Sequence, residues 1–124
     1  MATPPPPIKA LIEELGPLSN DVAAVVEHAD DTWVLTFVDD TQAVLRWCET
    51  PARLETATQV AQFDQAPTVE RLEVLLAFNL LSSQTQGARM AWEPQERTLH
   101  LMRDLPQADC QLNTVQDSLR SLVG

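Results

Sequence analysis

Four side chains of this sequence could act as a nucleophile, a general base or a soft metal ligand: Cys48, Cys110, His28 and His100. Cys48 would need a base beside it to react as a thiolate, and its only basic neighbour is Arg46. The cysteines have neither CxxC spacing nor adjacent histidines, so they indicate neither a zinc site nor a disulfide framework. His100 lies on a predicted strand, where a solvent-facing side chain is the ordinary outcome. These residues do not favour catalysis.

Acidic pairs at positions 30–31 and 39–40 are the other candidates, because clustered carboxylates can bind calcium. Neither pair has the spaced oxygen ligands or the turn glycine of an EF-hand loop, so we interpret both pairs as turns. The three glycines, at positions 16, 87 and 124, do not form a phosphate-binding loop. We predict no cofactor and no metal, and an enzyme is disfavoured.

The charge of the chain is acidic and unevenly distributed. The chain has 18 Asp and Glu residues against 8 Lys and Arg residues, a formal net charge of −10. Residues 1–40 contain one lysine and eight acidic residues and carry −7 of this total, so the rest carries −3. Nucleic acids and anionic membranes are bound by clustered Lys and Arg, so neither is a predicted partner. Basic or neutral partners are favoured.

Length and hydropathy indicate the broad class. With 124 residues, 44% of them apolar, we expect one soluble domain (1–124) with a moderate core. No apolar run approaches the ~20 residues of a membrane span. The N-terminus lacks the basic and apolar regions of a secretory signal, which predicts a cytoplasmic protein. Residues 1–6 are Pro-rich and are expected to be extended.

The first helix is predicted at residues 7–15. Four apolar side chains repeat at the i, i+3, i+4, i+7 spacing of one helical face: Ile8, Leu11, Ile12 and Leu15. Pro7 suits the first helical turn, where its missing N–H would be unpaired anyway. Gly16 and Pro17 are expected to end the helix.

Several strands are predicted next. Residues 32–38 and 42–48 are rich in Trp, Val, Phe and Leu and flank a short polar turn, which indicates an antiparallel pair. The first of them is apolar on both faces, so we expect a covering on each side. Leu54, Thr56, Thr58 and Val60 alternate along residues 54–63, and the threonine content favours a strand, although a helix stays an alternative. Residues 22–28 fit either a strand or a helix.

A central helix is predicted to begin at Thr68, which can cap its N-terminus. At 100° per residue it has two apolar faces divided by charged residues. One face consists of Val69, Leu72, Leu75, Leu76, Asn79 and Leu80, and the other of Val74, Phe78 and Leu81. A small domain offers one sheet, so the second covering is predicted to be the same helix of another copy across a two-fold axis. A helix sandwiched between the sheet and a terminal helix is the alternative.

A hairpin and a last helix complete the prediction. Residues 88–92 and 97–103 flank a turn in which Pro94 fits the second position, and Pro106 ends the second strand. The helix is expected from Gln107 to Val123, with a stripe of Ala108, Leu112, Val115, Leu119 and Leu122. The fold is therefore predicted to be α+β, with three helices and a mainly antiparallel twisted sheet of about five strands (α-β-β-β-α-β-β-α), and homodimeric.

The region 68–106 combines three features of modest specificity. The Leu-rich central helix ends in Ala-Phe-Asn-Leu at 77–80, a strand opens with Gly-Ala at 87–88, and a strand closes with Leu-Pro at 105–106. In this order and spacing the region resembles the class I type III secretion chaperones, also called the Tir-chaperone or CesT/SycE-like family.

The resemblance implies a bacterial cytoplasmic homodimer that binds the nonglobular N-terminal segment of one or a few secreted effector proteins. It would keep that segment soluble and present it for export, without a cofactor. Aromatic and aliphatic anchors dominate such binding, so the effector-binding surface is predicted to comprise Leu11, Leu15, Trp33, Leu35 and Trp47. The predicted dimer interface comprises Leu72, Leu75, Leu76, Asn79, Leu80, Met90 and Trp92.

An acidic immunity or antitoxin protein is the rival prediction. Such a protein binds a folded toxin domain and abolishes its activity. A chaperone instead binds the disordered N-terminal segment alone and leaves the folded domain active.

Overall fold

The chain folds around one antiparallel sheet. The computed structural model describes residues 3–18, 22–81, 83–85 and 87–123. A 3-10 turn at Gln107–Asp109 precedes the last helix. In chain order the helices and strands are α1 (Pro6–Leu18), β1 (Val22–Ala29), β2 (Thr32–Phe37), β3 (Gln42–Glu49), β4 (Ala52–Gln62), α2 (Val69–Leu80), β5 (Arg89–Glu93), β6 (Thr98–Pro106) and α3 (Leu112–Val123).

The sheet has six strands in the order β1-β2-β3-β4-β6-β5, and all neighbours are antiparallel. The predicted α+β class with three helices is confirmed, with six strands in place of about five. The two regions left open between strand and helix are both strands, β1 and β4. Their pairing with β2, β3 and β6 satisfies their backbone groups, which local sequence cannot reveal. No described helix is long and apolar enough to cross a lipid bilayer.

Helices α1 and α3 cover one face of the sheet and enclose the core. Every second residue of β2 and β3 points into this core, as the period of a strand requires. The core contains Ile8, Ile12, Leu15, Trp33, Leu35, Phe37, Ala43, Leu45, Trp47, Leu54, Leu105, Val115 and Leu119.

The opposite face of the sheet is uncovered. Val26 and Val44 on this face are 58% and 41% exposed, and Val34 between them is half-buried. We had expected a covering on each side of β2, but both α1 and α3 lie on the same side. Within the described chain no helix covers this face, so the expected second covering is not supplied by α1 or α3.

Helix α1 continues past its predicted end at Leu15 and runs to Leu18. A Cβ placed on Gly16 would lie 3.5 Å from a methyl group of Val25, so the helix backbone lies close against β1. Pro17 lacks the N–H that would donate to the main-chain oxygen of residue 13, so the last turn loses one helical hydrogen bond. Tertiary packing therefore overrides the stop signal at residues 16–17.

Helix α3 begins at Leu112, later than the predicted Gln107. The 3-10 turn ends at Asp109 and is followed by Cys110, whose thiol lies 3.4 Å from the main-chain oxygen of Pro106. This turn occupies the first residues of the predicted helix and delays the start of α3 to Leu112. Ala108 is consequently exposed and lies outside the stripe, whereas Val115 is buried as predicted.

Strand β4 accounts for the alternating threonines. Thr56 and Thr58 are buried, and their hydroxyls donate to main-chain oxygens of neighbouring strands at 2.9 and 2.8 Å. A bulge follows Gln59 and shifts the register, which leaves Val60 exposed. The two threonine hydroxyls are thus satisfied by main-chain oxygens although they are buried. The alternation of buried and exposed residues along β4 stops at the bulge.

A buried arginine joins β6, α3 and the loop after α2. Arg103 donates to the main-chain oxygens of Ser118 and Thr85 at 3.2 and 3.3 Å, and to the hydroxyls of Ser118 and Ser121 at 3.4 Å. These partners are neutral oxygens, so dipoles stabilise the guanidinium charge. The signal in the sequence is a basic residue on the apolar face of an alternating Leu strand.

Arg103→Ala is expected to reduce the free energy of unfolding by about 3 kcal/mol, because it leaves buried acceptors unpaired and opens a cavity. Arg46→Ala is the matched control, since its side chain is 53% exposed and an exposed ion pair contributes at most about 1 kcal/mol. Urea unfolding followed by circular dichroism measures both. Equal losses in the two variants would contradict the bridging role of Arg103.

Candidate interaction surfaces

Helix α2 has no buried residue. The Thr68 hydroxyl caps it by accepting from the Arg71 N–H at 3.3 Å. Leu76 is 69% and Leu80 is 82% exposed, and further apolar side chains on both sides of the helix are exposed as well. The alternative of a helix sandwiched between the sheet and a terminal helix is therefore wrong. The helix instead presents an apolar surface to solvent.

Asn79 attaches α2 to strand β5. Its side-chain amide donates to the Met90 oxygen at 3.1 Å and accepts from the Met90 N–H at 2.7 Å. The amide thus satisfies the outer backbone groups of an edge strand as a neighbouring strand would. We had assigned Asn79 to the dimer interface for its place on an apolar face. The structure places it in this bond within the chain.

An aromatic pair supports the N-terminal half of α2. The rings of Phe63 and Trp92 are 5.4 Å apart between centroids and tilted by 46°. The Arg71 guanidinium lies 5.4 Å from the centre of the Phe63 ring. Phe63 is not among the predicted surface residues, and the signal for it in the sequence is an aromatic residue shortly before a helix cap.

The residues predicted to form the dimer interface lie together on α2 and β5. Leu72, Leu76 and Leu80 are exposed, while Leu75 is half-buried. Met90 and Trp92 are also half-buried, on the strand that Asn79 contacts. We name this set of seven the α2/β5 surface. Its part in dimerisation stays a prediction.

Most residues predicted to bind the effector are placed in the core instead. Leu15, Trp33 and Leu35 have no exposed surface, and Trp47 is 2% exposed. Their placement is corrected, because α1 and α3 cover the face of the sheet from which these side chains point. Only Leu11 of the predicted set is partly exposed. It packs against the core next to strand β1.

Strand β1 forms one edge of the sheet and lies beside α1. Val22 and Val25 are half-buried on this strand, and Leu11 of α1 packs on the same margin of the core. An edge strand of this kind can pair with an added strand of another chain. This combination, named the β1 edge, can thus supply backbone pairing and apolar contacts together.

A network of charges lies on the uncovered face of the sheet. Arg46 contacts Glu55 at 2.9 Å, and Arg89 lies 3.7 Å from Glu55 and 3.3 Å from Asp104. Arg53 lies 3.5 Å from Asp104. The Glu55 carboxylate raises the pKa of the Arg46 guanidinium. We name these five residues the charged row, which sequence analysis missed because its members come from four separate strands.

The candidate chemical residues are not assembled into a reactive site. Cys48 and Cys110 are free thiols, and burial raises the pKa of the Cys110 thiol, which disfavours its thiolate. His100 Nε2 lies 2.8 Å from the Thr98 hydroxyl on the same strand. Among the described residues, no group of three or more His, Cys, Asp and Glu side chains could hold a metal ion.

No protein-family model matches the sequence, and no curated protein matches it. In structure, the chain is similar to a chain of the ExsC-ExsE complex, with a TM-score of 0.73, 16% identity, and coverage of 94% of this chain and 84% of that chain. It is also similar to a chain of the HopA1-SchA chaperone-effector complex, with a TM-score of 0.72, 16% identity, and coverage of 93% and 86%. The fold is therefore shared with these chains, as the resemblance predicted.

Proposed function

We propose that this protein is a type III secretion chaperone that binds a secreted effector in the bacterial cytoplasm and keeps it ready for export. One observation carries the proposal: the shared fold spans nearly the whole chain, and one of the matched structures is a chaperone-effector complex. The proposed role requires binding and no catalysis.

The working unit in this proposal is a homodimer formed through the α2/β5 surface. Large apolar side chains such as Leu76 and Leu80 are costly in contact with water, and a second copy can cover them across a two-fold axis. Asn79 and the Phe63–Trp92 pair hold α2 in place against β5. These contacts attach the helix to β5 within one chain, so its exposed leucines face outwards and can meet a second copy.

The effector would be bound through its nonglobular N-terminal segment at the β1 edge. An extended segment can form main-chain hydrogen bonds to the outer side of β1. Its apolar side chains can contact Leu11, Val22 and Val25, which are half-buried there. The buried residues Trp33, Leu35 and Trp47 support this edge from the core and do not contact the segment.

The test is purification of the protein from its own bacterium, followed by mapping of whatever secreted protein copurifies. Hydrogen exchange is expected to show protection in short, separated patches of the partner's N-terminal segment, while the partner's folded domain stays active and unchanged. An inhibitor of the immunity or antitoxin type would instead protect the folded domain and abolish its activity. That outcome would refute the chaperone proposal.

A further inference from the structure

The outer side of strand β5 is occupied by groups of the same chain. Both backbone groups of Met90 bond to the side-chain amide of Asn79, at 3.1 and 2.7 Å. Met90 therefore points its N–H and C=O away from β6, and it faces Leu101 of β6 as a non-hydrogen-bonded pair. Backbone direction alternates along a strand, so Ala88 and Trp92 also point these groups outwards. We name the three residues 88, 90 and 92 the β5 edge.

Ala88 is closed by the turn that precedes it. Its N–H donates to the Thr85 oxygen at 3.1 Å, and its own oxygen accepts from the Thr85 hydroxyl at 3.2 Å. Gly87 has a φ of +79°, which glycine adopts without strain, and this lets the chain fold back onto Thr85. The buried Arg103 also donates to the Thr85 oxygen, at 3.3 Å, and ties the turn to β6. Two successive positions of the β5 edge are therefore paired within the chain.

The rest of the β5 edge is too short to hold another strand. Trp92 is the next outward residue, and Pro94, two residues further along, has no N–H to donate. An added strand would therefore find Trp92 alone between the bonded Met90 and a proline. Strands in globular proteins usually pair over about three residues or more, so one residue does not support strand addition.

The opposite edge of the sheet is different. Strand β1 has eight residues, against five for β5. From Ala24 to Glu27 it pairs regularly with β2, between two shifts of register. Among the residues that the structure describes, no side chain bonds to the backbone of β1, in contrast to Asn79 and Thr85 at β5. The β1 edge can therefore accept a strand, whereas the β5 edge cannot.

We propose that Asn79 closes the β5 edge against strand addition, so that an extended partner segment adds to the sheet at the β1 edge alone. The identity of that segment rests on the proposed chaperone function, whereas the closure does not. A sheet with two different open edges can pair β1 of one copy with β5 of the next, a contact that does not close and grows into fibres. Asn79 thus determines where a partner adds and prevents growth between copies.

Asn79→Ala frees the Met90 backbone and is expected to open the β5 edge from Met90 to Trp92. Sedimentation velocity of the full-length protein should show a mass that rises at least about twofold between roughly 10 and 200 µM, as copies add β1 to β5. The wild-type protein should keep a constant mass, and so should the matched control Asn113→Ala, the same change at an exposed asparagine of α3. Hydrogen exchange at the Met90 amide should be about 5–10-fold faster in Asn79→Ala, the effect of one lost hydrogen bond.

Asn79→Asp separates edge closure from the attachment of α2. A carboxylate can accept from the Met90 N–H but cannot donate to the Met90 oxygen, so the attachment weakens. Its charge would have to be buried by an added strand, and charged side chains are a common protection of edge strands. Asn79→Asp is therefore expected to lose stability in urea, as Asn79→Ala does, and yet to keep a constant mass. A purely structural role of Asn79 predicts the same mass for both variants.

Growth by edge pairing also requires an open β1. Ala24→Lys places a charge on that strand at an exposed position, and in the Asn79→Ala background it is expected to restore a constant mass. Asn79→Leu keeps the side-chain volume, is expected to grow like Asn79→Ala, and replaces it if circular dichroism shows that Asn79→Ala is unfolded. A constant mass in the folded variant, equal growth of Asn79→Asp, growth that persists with Ala24→Lys, or unchanged exchange at Met90 would each overturn the inference.

The failure of this inference is distinguishable from the failure of the chaperone function. If a copurified effector segment adds at β1 while folded Asn79→Ala keeps a constant mass, the chaperone function stands and the closure by Asn79 is overturned. If Asn79→Ala grows as expected but the copurified partner is held through a folded domain, the closure stands and the chaperone function fails.

Discussion

Leu76→Asp is expected to convert the protein from a dimer to a folded monomer at micromolar concentration. The side chain is 69% exposed, so a charge there does not disturb the chain's own core. In the proposed dimer it lies near the centre of the α2/β5 surface, and each buried leucine contributes about 2 kcal/mol. Two copies across the two-fold axis contribute about 4 kcal/mol, which corresponds to a roughly 10³-fold weaker Kd.

Light scattering coupled to size exclusion measures the mass directly. Val38→Asp is the matched control, because Val38 has nearly the same exposure but lies in the β2–β3 turn. It should remain a dimer. A monomeric wild-type protein, or a Leu76→Asp protein that still dimerises with unchanged affinity, would contradict the interface. Unchanged circular dichroism in both variants would exclude unfolding as the cause.

Leu15→Asp is expected to unfold the protein, whereas Leu11→Asp is expected to leave it folded. Both residues belong to the same helical stripe in the sequence and were predicted to bind the effector. Leu15 has no exposed surface, so the substitution removes a core leucine and buries a carboxylate, at a combined cost above about 4 kcal/mol. That cost approaches the lower end of the 5–15 kcal/mol by which ordinary domains are stable, so it is enough to unfold a domain of modest stability.

Leu11 is partly exposed, so its carboxylate can remain hydrated and the free energy of unfolding should change by about 1 kcal/mol or less. Urea unfolding measures both variants under the same conditions. Folded Leu11→Asp protein is also expected to bind the effector segment more weakly, because Leu11 belongs to the β1 edge. A stable Leu15→Asp protein would show that α1 does not pack as the structure has it.

The elements themselves follow from local patterns. The alternation of residues 32–38 and 42–48 identified a hairpin, and the burial of every second residue in β2 and β3 confirms it. Cap and turn residues located α2 and the β5–β6 hairpin closely. The errors lie at helix ends, at residues 16–17 and 107–111, where docking against the sheet outweighed local stop and start signals.

The surfaces were harder to predict than the elements. Trp33 and Trp47 were chosen because exposed aromatic residues dominate binding surfaces, but the same chemistry stabilises a core. When a strand is apolar on both faces, its sequence does not show which face the helices of the same chain will cover. The residues of the α2/β5 surface could be predicted together, because a helix with two apolar faces has more apolar surface than one sheet can cover. The charged row could not be predicted from the sequence, because its five residues are distant in the chain and become neighbours only through strand pairing.

The sequence alone determined the fold class, the three helices, the two hairpins, the acidic charge and the apolar excess of the central helix, while the strand character of β1 and β4 stayed open. Each of these depends on the composition or on interactions between residues close in the chain, such as the period of a strand or a helix cap. The tertiary structure decided which face of the sheet α1 and α3 cover, that Leu15, Trp33 and Trp47 are core, and that the charged row forms on the other face. Those outcomes depend on register and docking between distant segments, which no local pattern contains.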